Sequence, residues 1–303
     1  MDDLLTDYRP RLQRFLRASD FARSGAVITD LDGTAVHEVE GRVLLSRSVE
    51  LGLQQVHAAG REVLINTLRF PLSIMRVFGA DWRRASGSDM TVVSLKGSLV
   101  GRIVASQGGE LAFEEVHAFT LTTQEVDEVL QGVRGLVEQG AQDLLVFFYP
   151  RRWQEGELIW TPDAQRIAPV QAKYRSASRV LSGGLPALEA ALHAQPQCMV
   201  FLLIDAPQDR LMAYQHTAQT RFVTRQGVDK RSGALALAAH LRVSLADSIG
   251  AGDAETDTFL DEVGFAAIVG NQDVGFKGRV DTVRLPDAPA FGELLLSVAE
   301  AVR

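Results

Sequence analysis

Two aspartates two residues apart, Asp30 and Asp32, close the apolar run Ala26-Val27-Ile28-Thr29 and run on into Gly33 and Thr34. On an extended chain, side chains two apart point the same way, so both carboxyls can face one site. Thr67 follows the strand-like run Val63-Leu64-Ile65-Asn66, Lys230 precedes an alanine-rich stretch, and Asp253 and Asp257 follow Ser248-Ile249-Gly250-Ala251-Gly252. Four carboxylates meeting without a cation would repel one another and raise their own pKa values. Hard oxygen donors of this kind fit Mg²⁺. A lysine and a threonine beside such a metal make a seat for a phosphoryl group, and the Gly33-Thr34 turn can add backbone N–H donors. An aspartate can then act as nucleophile toward phosphorus, forming an aspartyl-phosphate, while a second carboxyl protonates the leaving oxygen and later activates water.

These groups need elements that bring them to one place. Periodicity predicts a helical lead-in over 1–24, with Leu12, Phe15 and Leu16 on one face, then a buried strand over 26–30. A hairpin turning at Glu40-Gly41 follows over 35–45, then a helix capped by Ser48, with Val49, Leu53 and Val56 buried and Gly60 as its stop. A second strand covers 63–66. From 72 to 225 the pattern is mixed, with strands near 91–95, 99–105, 144–149, 157–160 and 199–204, and helices over 123–138 and 185–193. The tail returns to alternation: a helix over 232–241, a strand at 248–252, a helix over 255–263, strands at 265–269 and 280–285, and a helix over 290–302. The expected class is α/β, a doubly wound, mainly parallel Rossmann-like sheet. Its parts are residues 1–71 and 226–303, with an α+β domain inserted over 72–225.

Composition narrows the partners. The 303 residues carry a net charge of −7, and no lysine- or arginine-rich run stands out, which argues against nucleic acid as the main partner. A local pocket can still bind a small phosphorylated metabolite. The single cysteine, Cys198, excludes an intrachain disulfide and sits in an apolar run as a buried filler. The first residues place acids where a signal peptide needs bases, and no apolar run reaches membrane-span length. The expectation is a soluble, cytoplasmic protein without membrane partners; the sequence leaves the oligomeric state open.

The motif set resembles the haloacid dehalogenase (HAD) superfamily of phosphatases. VITDLDGTAV matches its DxDGT motif, VLINT its strand ending in Ser or Thr, GVDKRSGALALAAHL its lysine at a helix start, and GDAETD its GDxxxD motif, in the family's order across 26–270. The resemblance implies Asp30 as nucleophile and Asp32 as acid/base. It implies Mg²⁺ on the Asp30 carboxylate, the Asp32 carbonyl and Asp253, with Asp257 close by, and phosphate on Gly33, Thr34, Thr67 and Lys230. The long insert is similar to the cap of class IIB, which includes Cof-type, sucrose-phosphate and trehalose-phosphate phosphatases, so a sugar phosphate is the implied substrate. Asp257 also reads as an ordinary helix-start acid. Asn271 either matches a polar residue near the metal in relatives or serves a turn. The second motif departs from the usual Thr/Ser-Gly-Arg, reading Thr67-Leu68-Arg69, which puts the usual role of Arg69 in doubt. Within the insert, Arg151, Arg152, Trp153, Trp160 and Lys173 can line a polar ligand site or simply pack. Alternatives on the same scaffold are a phosphotransferase or mutase, and a non-catalytic binder of phosphorylated ligands.

Overall fold

The computed structural model describes residues 7–39, 42–106, 108–141, 143–204, 221–272, 274 and 281–302. In chain order the strands are β1 (Ala26–Thr29), β2 (Val36–Val39), β3 (Arg42–Leu45), β4 (Glu62–Asn66), β5 (Met90–Ser94), β6 (Leu99–Ala105), β7 (Leu111–Ala118) and β8 (Leu145–Pro150). They continue with β9 (Glu157–Thr161), β10 (Ala177–Ser182), β11 (Gln197–Leu203), β12 (Arg221–Val223), β13 (Ile249–Gly252), β14 (Phe265–Val269) and β15 (Asp281–Leu285). The helices are α1 (Arg9–Ala18), α2 (Phe21–Ser24), α3 (Arg47–Ala58), α4 (Pro71–Ile74), α5 (Ala80–Ser86), α6 (Thr123–Glu138), α7 (Ile167–Lys173), α8 (Leu185–His193), α9 (Lys230–Leu241) and α10 (Ala288–Ala301).

The chain divides into two units. The first comprises residues 1–67, 74–117 and 229–303, and is built on an eight-stranded sheet of order β15-β14-β13-β1-β4-β5-β6-β7. The six strands from β15 to β5 run parallel, and β6 turns back against β5. From β1, the chain builds outward through β4 and β5 on one side, and through β13, β14 and β15 on the other. The strand order therefore reverses at β1, and the crevice outside the carboxyl ends of its neighbours is where such sheets hold ligands. Every residue of β1, β5, β13 and β14 is buried, which is why these strands read as near-continuous apolar runs.

This division differs from the one the sequence suggests. Residues 74–117, expected within the insert, belong to the sheet unit, because β5 pairs in parallel with β4 while β6 and β7 extend the same sheet. The second unit comprises 68–73 and 118–228 and carries a mixed five-stranded sheet, β10-β9-β8-β11-β12. Its core packs Val126, Val129 and Val133 of α6 and Leu188 of α8 against Val146, Phe148 and Trp160 of the sheet. Trp160, read as a candidate for a ligand site, is thus a core residue. A capping box starts α6: Thr122 Oγ1 accepts from Glu125 N, and the Glu125 carboxylate accepts from Thr122 N.

Local expectations fare unevenly. The 35–45 hairpin appears as β2 paired with β3, its tip residues Glu40-Gly41 lying outside the described set. Helix α3 buries Val49, Leu53 and Val56 as expected, but Ser46 rather than Ser48 holds its N-cap position. The helix expected over 255–263 is absent, and only a short 3₁₀ turn, Thr258–Asp261, forms there. No helix among the described residues is long and apolar enough to cross a membrane.

Candidate active site

Parallel register assembles the site. Thr29 of β1 pairs with Ile65 of β4 on one side and with Ala251 of β13 on the other. The residues that follow each strand, Asp30 to Thr34, Thr67 and Asp253, therefore leave the sheet at one edge. Asp30 is held there by its own backbone: its N–H donates to Ala251 O at 3.0 Å, and its Oδ1 accepts from Leu31 N at 2.7 Å. The chain then turns tightly, with Ala35 N and Val36 N both donating to Leu31 O and Gly33 N to Val36 O. Asp32 is half-buried in this turn.

Gly33 is required on two grounds. Its φ of 80° lies in the left-handed region, and a Cβ there would overlap the Asp253 carboxylate. Thr34, buried, donates through Oγ1 to Asp253 Oδ1 at 3.3 Å. Thr67 is also buried, its N–H on Val93 O and its carbonyl accepting from Lys96 N.

Lys230 reaches this edge from the first residue of α9. Asp229 caps that helix, its Oδ1 accepting from Ser232 N, while Thr258 Oγ1 donates to its other oxygen at 3.0 Å. Gly97 lets the turn after β5 lie against the Asp229 carbonyl, where a Cβ would not fit. The Lys230 ammonium is 1% exposed and sits 3.0 Å from Asp30 Oδ1 and 2.6 Å from Asp257 Oδ1. Asp257 is wholly buried, and its Oδ2 accepts from Asp253 N at 2.9 Å and Ala254 N at 3.0 Å. That double backbone contact closes a turn at 253–257 and replaces the helix expected to begin there. With three donors on its carboxylate, Asp257 holds Lys230 and the loop bearing Asp253 in place.

Asp30, Asp253 and Asp257 each bring a carboxylate oxygen within 4.8 Å of the others. Burial pushes the Asp30 carboxyl well above the usual carboxylate range; Lys230 pulls it down, while Asp257, Asp253 and Asp32 push it up further. Burial and the charge of Asp257 raise Asp253 to about 6. Burial alone would lower Lys230, but Asp257 and Asp30 hold it well above its ordinary value, so it stays charged. An excess of buried negative charge over one lysine fits a divalent cation held by oxygen donors.

The structure thus brings Asp30, Asp253, Asp257 and Lys230 together, with Gly33 and Thr34 against Asp253 and Thr67 at the same sheet edge. Asn271 lies exposed beyond the end of β14. Arg69 belongs to the second unit, where it is buried and donates to Ser73 Oγ at 3.1 Å. Asn66, read from sequence only as the end of a strand, donates from Nδ2 to the Lys230 carbonyl at 2.8 Å. Its signal was an amide closing an otherwise apolar strand.

No protein-family model and no curated protein matches the sequence. Solved structures do match. A HAD/COF-like protein from Plasmodium vivax superposes with a TM-score of 0.69 at 19% identity, over 95% of this chain and 99% of the other. A phosphatase of the haloalkanoate superfamily from Bacteroides thetaiotaomicron gives 0.61 at 18% identity, over 93% and 97%. The chain has the HAD fold. A third structure with this fold, a HAD subclass IIB sugar phosphatase, gives a TM-score of 0.58 at 17% identity, over 91% of this chain and 97% of its own. In the HAD fold of this chain the acidic cluster occupies the edge where the strand order reverses.

Proposed function

We propose that the chain is a Mg²⁺-dependent phosphatase acting on a small phosphorylated metabolite, a sugar phosphate, by way of an aspartyl-phosphate on Asp30. The observation that carries this reading is the buried Lys230 ammonium shared by Asp30 and Asp257 beside Asp253. Asp30, Asp253 and the Asp32 carbonyl would hold Mg²⁺, which when bound supplies neutralisation of charge between the attacking carboxylate and the phosphate. Asp257, beside them with Lys230 and two backbone N–H groups on its carboxylate, orients the others and keeps an oxygen within reach of the metal. The sugar-phosphate assignment draws support from the sugar phosphatase that shares the fold.

In the reaction, an Asp30 oxygen attacks phosphorus and the bond from phosphorus to the ester oxygen breaks. Asp32 gives its proton to the departing oxygen. Lys230 and Thr67 bind the phosphoryl oxygens as charge builds on them, whereas the Gly33 and Thr34 N–H groups expected to join them already donate to Val36 O and Leu31 O within the turn. Asp32 then takes a proton from water, whose oxygen attacks phosphorus, releasing inorganic phosphate and restoring the Asp30 carboxylate. A screen of phosphorylated sugars, polyols, nucleotides and cofactors with purified, Mg²⁺-loaded protein tests the proposal. Phosphate release should cease on chelation and fall by more than about a thousandfold in Asp30→Asn. Absence of turnover across the whole panel would refute it.

A further inference from the structure

We infer that Asn66 is a positioning residue for Lys230, fixing the lysine against the strand that presents Thr67. The inference rests on the phosphatase reading only for what Lys230 binds. Asn66 ends β4 after Val63-Leu64-Ile65 and is fully buried. Its Nδ2 donates to the Lys230 backbone carbonyl at 2.8 Å. A carbonyl can only accept, so this contact sets which way the amide faces. The amide Oδ1 is then buried with no hydrogen-bond partner among the described residues. A buried acceptor left without a donor costs stability, so a plain apolar residue would end this strand more cheaply. What the amide supplies in return is its grip on Lys230.

That grip falls on the right peptide. Asp229 and Thr258 secure the residues around Lys230, through the helix cap and the Arg231 N–H. Asn66 takes the carbonyl end of the peptide that links Lys230 to Arg231, the peptide whose N–H end donates to Thr258 Oγ1. A lysine stem has four flexible carbons, so the place of its ammonium depends on how firmly its backbone is anchored. Asn66 is also covalently next to Thr67. One buried amide therefore ties together the two elements that present Thr67 and the ammonium poised between Asp30 and Asp257.

Two variants of the full chain remove the donor in different ways: Asn66→Leu keeps the branched shape with a larger side chain, and Asn66→Ala shortens it. Two measurements follow. Acetic anhydride labelling of Lys230, read by mass spectrometry against Lys173 in the same molecules, reports the lysine whether or not the protein is an enzyme. Calorimetry with inorganic phosphate and Mg²⁺ reports the anion site. We expect both variants to raise relative Lys230 labelling and to weaken phosphate binding, each by about tenfold. A purely structural amide would lower the unfolding temperature and leave both readouts of the folded protein unchanged. If Asn66→Ala does not fold, Asn66→Leu decides. Wild-type labelling of Lys230 in folded Asn66→Leu overturns the inference, as does wild-type phosphate affinity. Failure of the wild type to bind phosphate would instead count against the phosphatase reading, while the labelling still judges Asn66.

Discussion

Lys230 is the residue on which the charge balance turns. It is buried with Asp30 and Asp257 on either side, so removing it strands two carboxylates away from water. Breaking a buried pair from one side usually costs about 3–5 kcal/mol. Lys230→Met should therefore lower unfolding free energy by about 3 kcal/mol in urea titrations near neutral pH. The loss should shrink in acid, where the stranded carboxyls can take up protons. Gly33→Ala should cost about 1–3 kcal/mol through its left-handed φ and its collision with Asp253, and should weaken Mg²⁺ binding in calorimetry. Most of these residues were legible in the sequence because their types are rare in combination: two aspartates and a glycine after an apolar strand, a lysine at a helix start. Asn66 was not legible. Its partner lies 164 positions away, and an amide at a strand end reads equally well as a turn former.

At the scale of elements, the start of α9 carries the most consequence. The Asp229 carboxylate caps the helix through Ser232 N and accepts from Thr258, so it joins the lysine helix to the loop after Asp257. Asp229→Ala should lower stability by about 1–2 kcal/mol in urea titrations, a loss at the upper end for a capping residue because two contacts go. Asp229→Asn, which keeps the cap acceptor, should recover most of it. Helices with a clear apolar stripe, such as α3 and α6, were readable from periodicity. The segment 255–263 was not, because the decisive interactions belong to one side chain. Asp257 takes up the backbone N–H groups of Asp253 and Ala254 and the Lys230 ammonium, and local propensity does not register such a centre.

For the whole molecule, the α/β class and the two-part organisation could be read from the order of strands and helices, but the boundary could not. β5 carries the same apolar signature whether it closes one sheet or opens another, and its pairing with β4 is a long-range choice. The carboxylate cluster also makes stability depend on pH. Asp30 and Asp253 hold protons more tightly in the folded chain than a free carboxyl does, Asp253 up to about 6. Their contribution to metal-free stability is therefore greatest in acid, below the unfolded value, and is lost as pH rises through the folded value. Mg²⁺ needs the ionised forms, so the rise in unfolding temperature that it gives should be large near pH 8 and should fade below about pH 6. Thermal scans with and without Mg²⁺ across that range check the sign; a metal shift that grows in acid would contradict it.

The central claim is covalent: the phosphoryl group passes through Asp30. Acid quenching during turnover of an active phosphate ester, followed by borohydride reduction and peptide mass spectrometry, reads this directly, since reduction converts an acyl-phosphorylated aspartate to homoserine. Transfer through Asp30 gives homoserine at position 30, dependent on Mg²⁺ and absent from Asp30→Asn. Turnover that leaves position 30 unmodified while another carboxylate is reduced would contradict it.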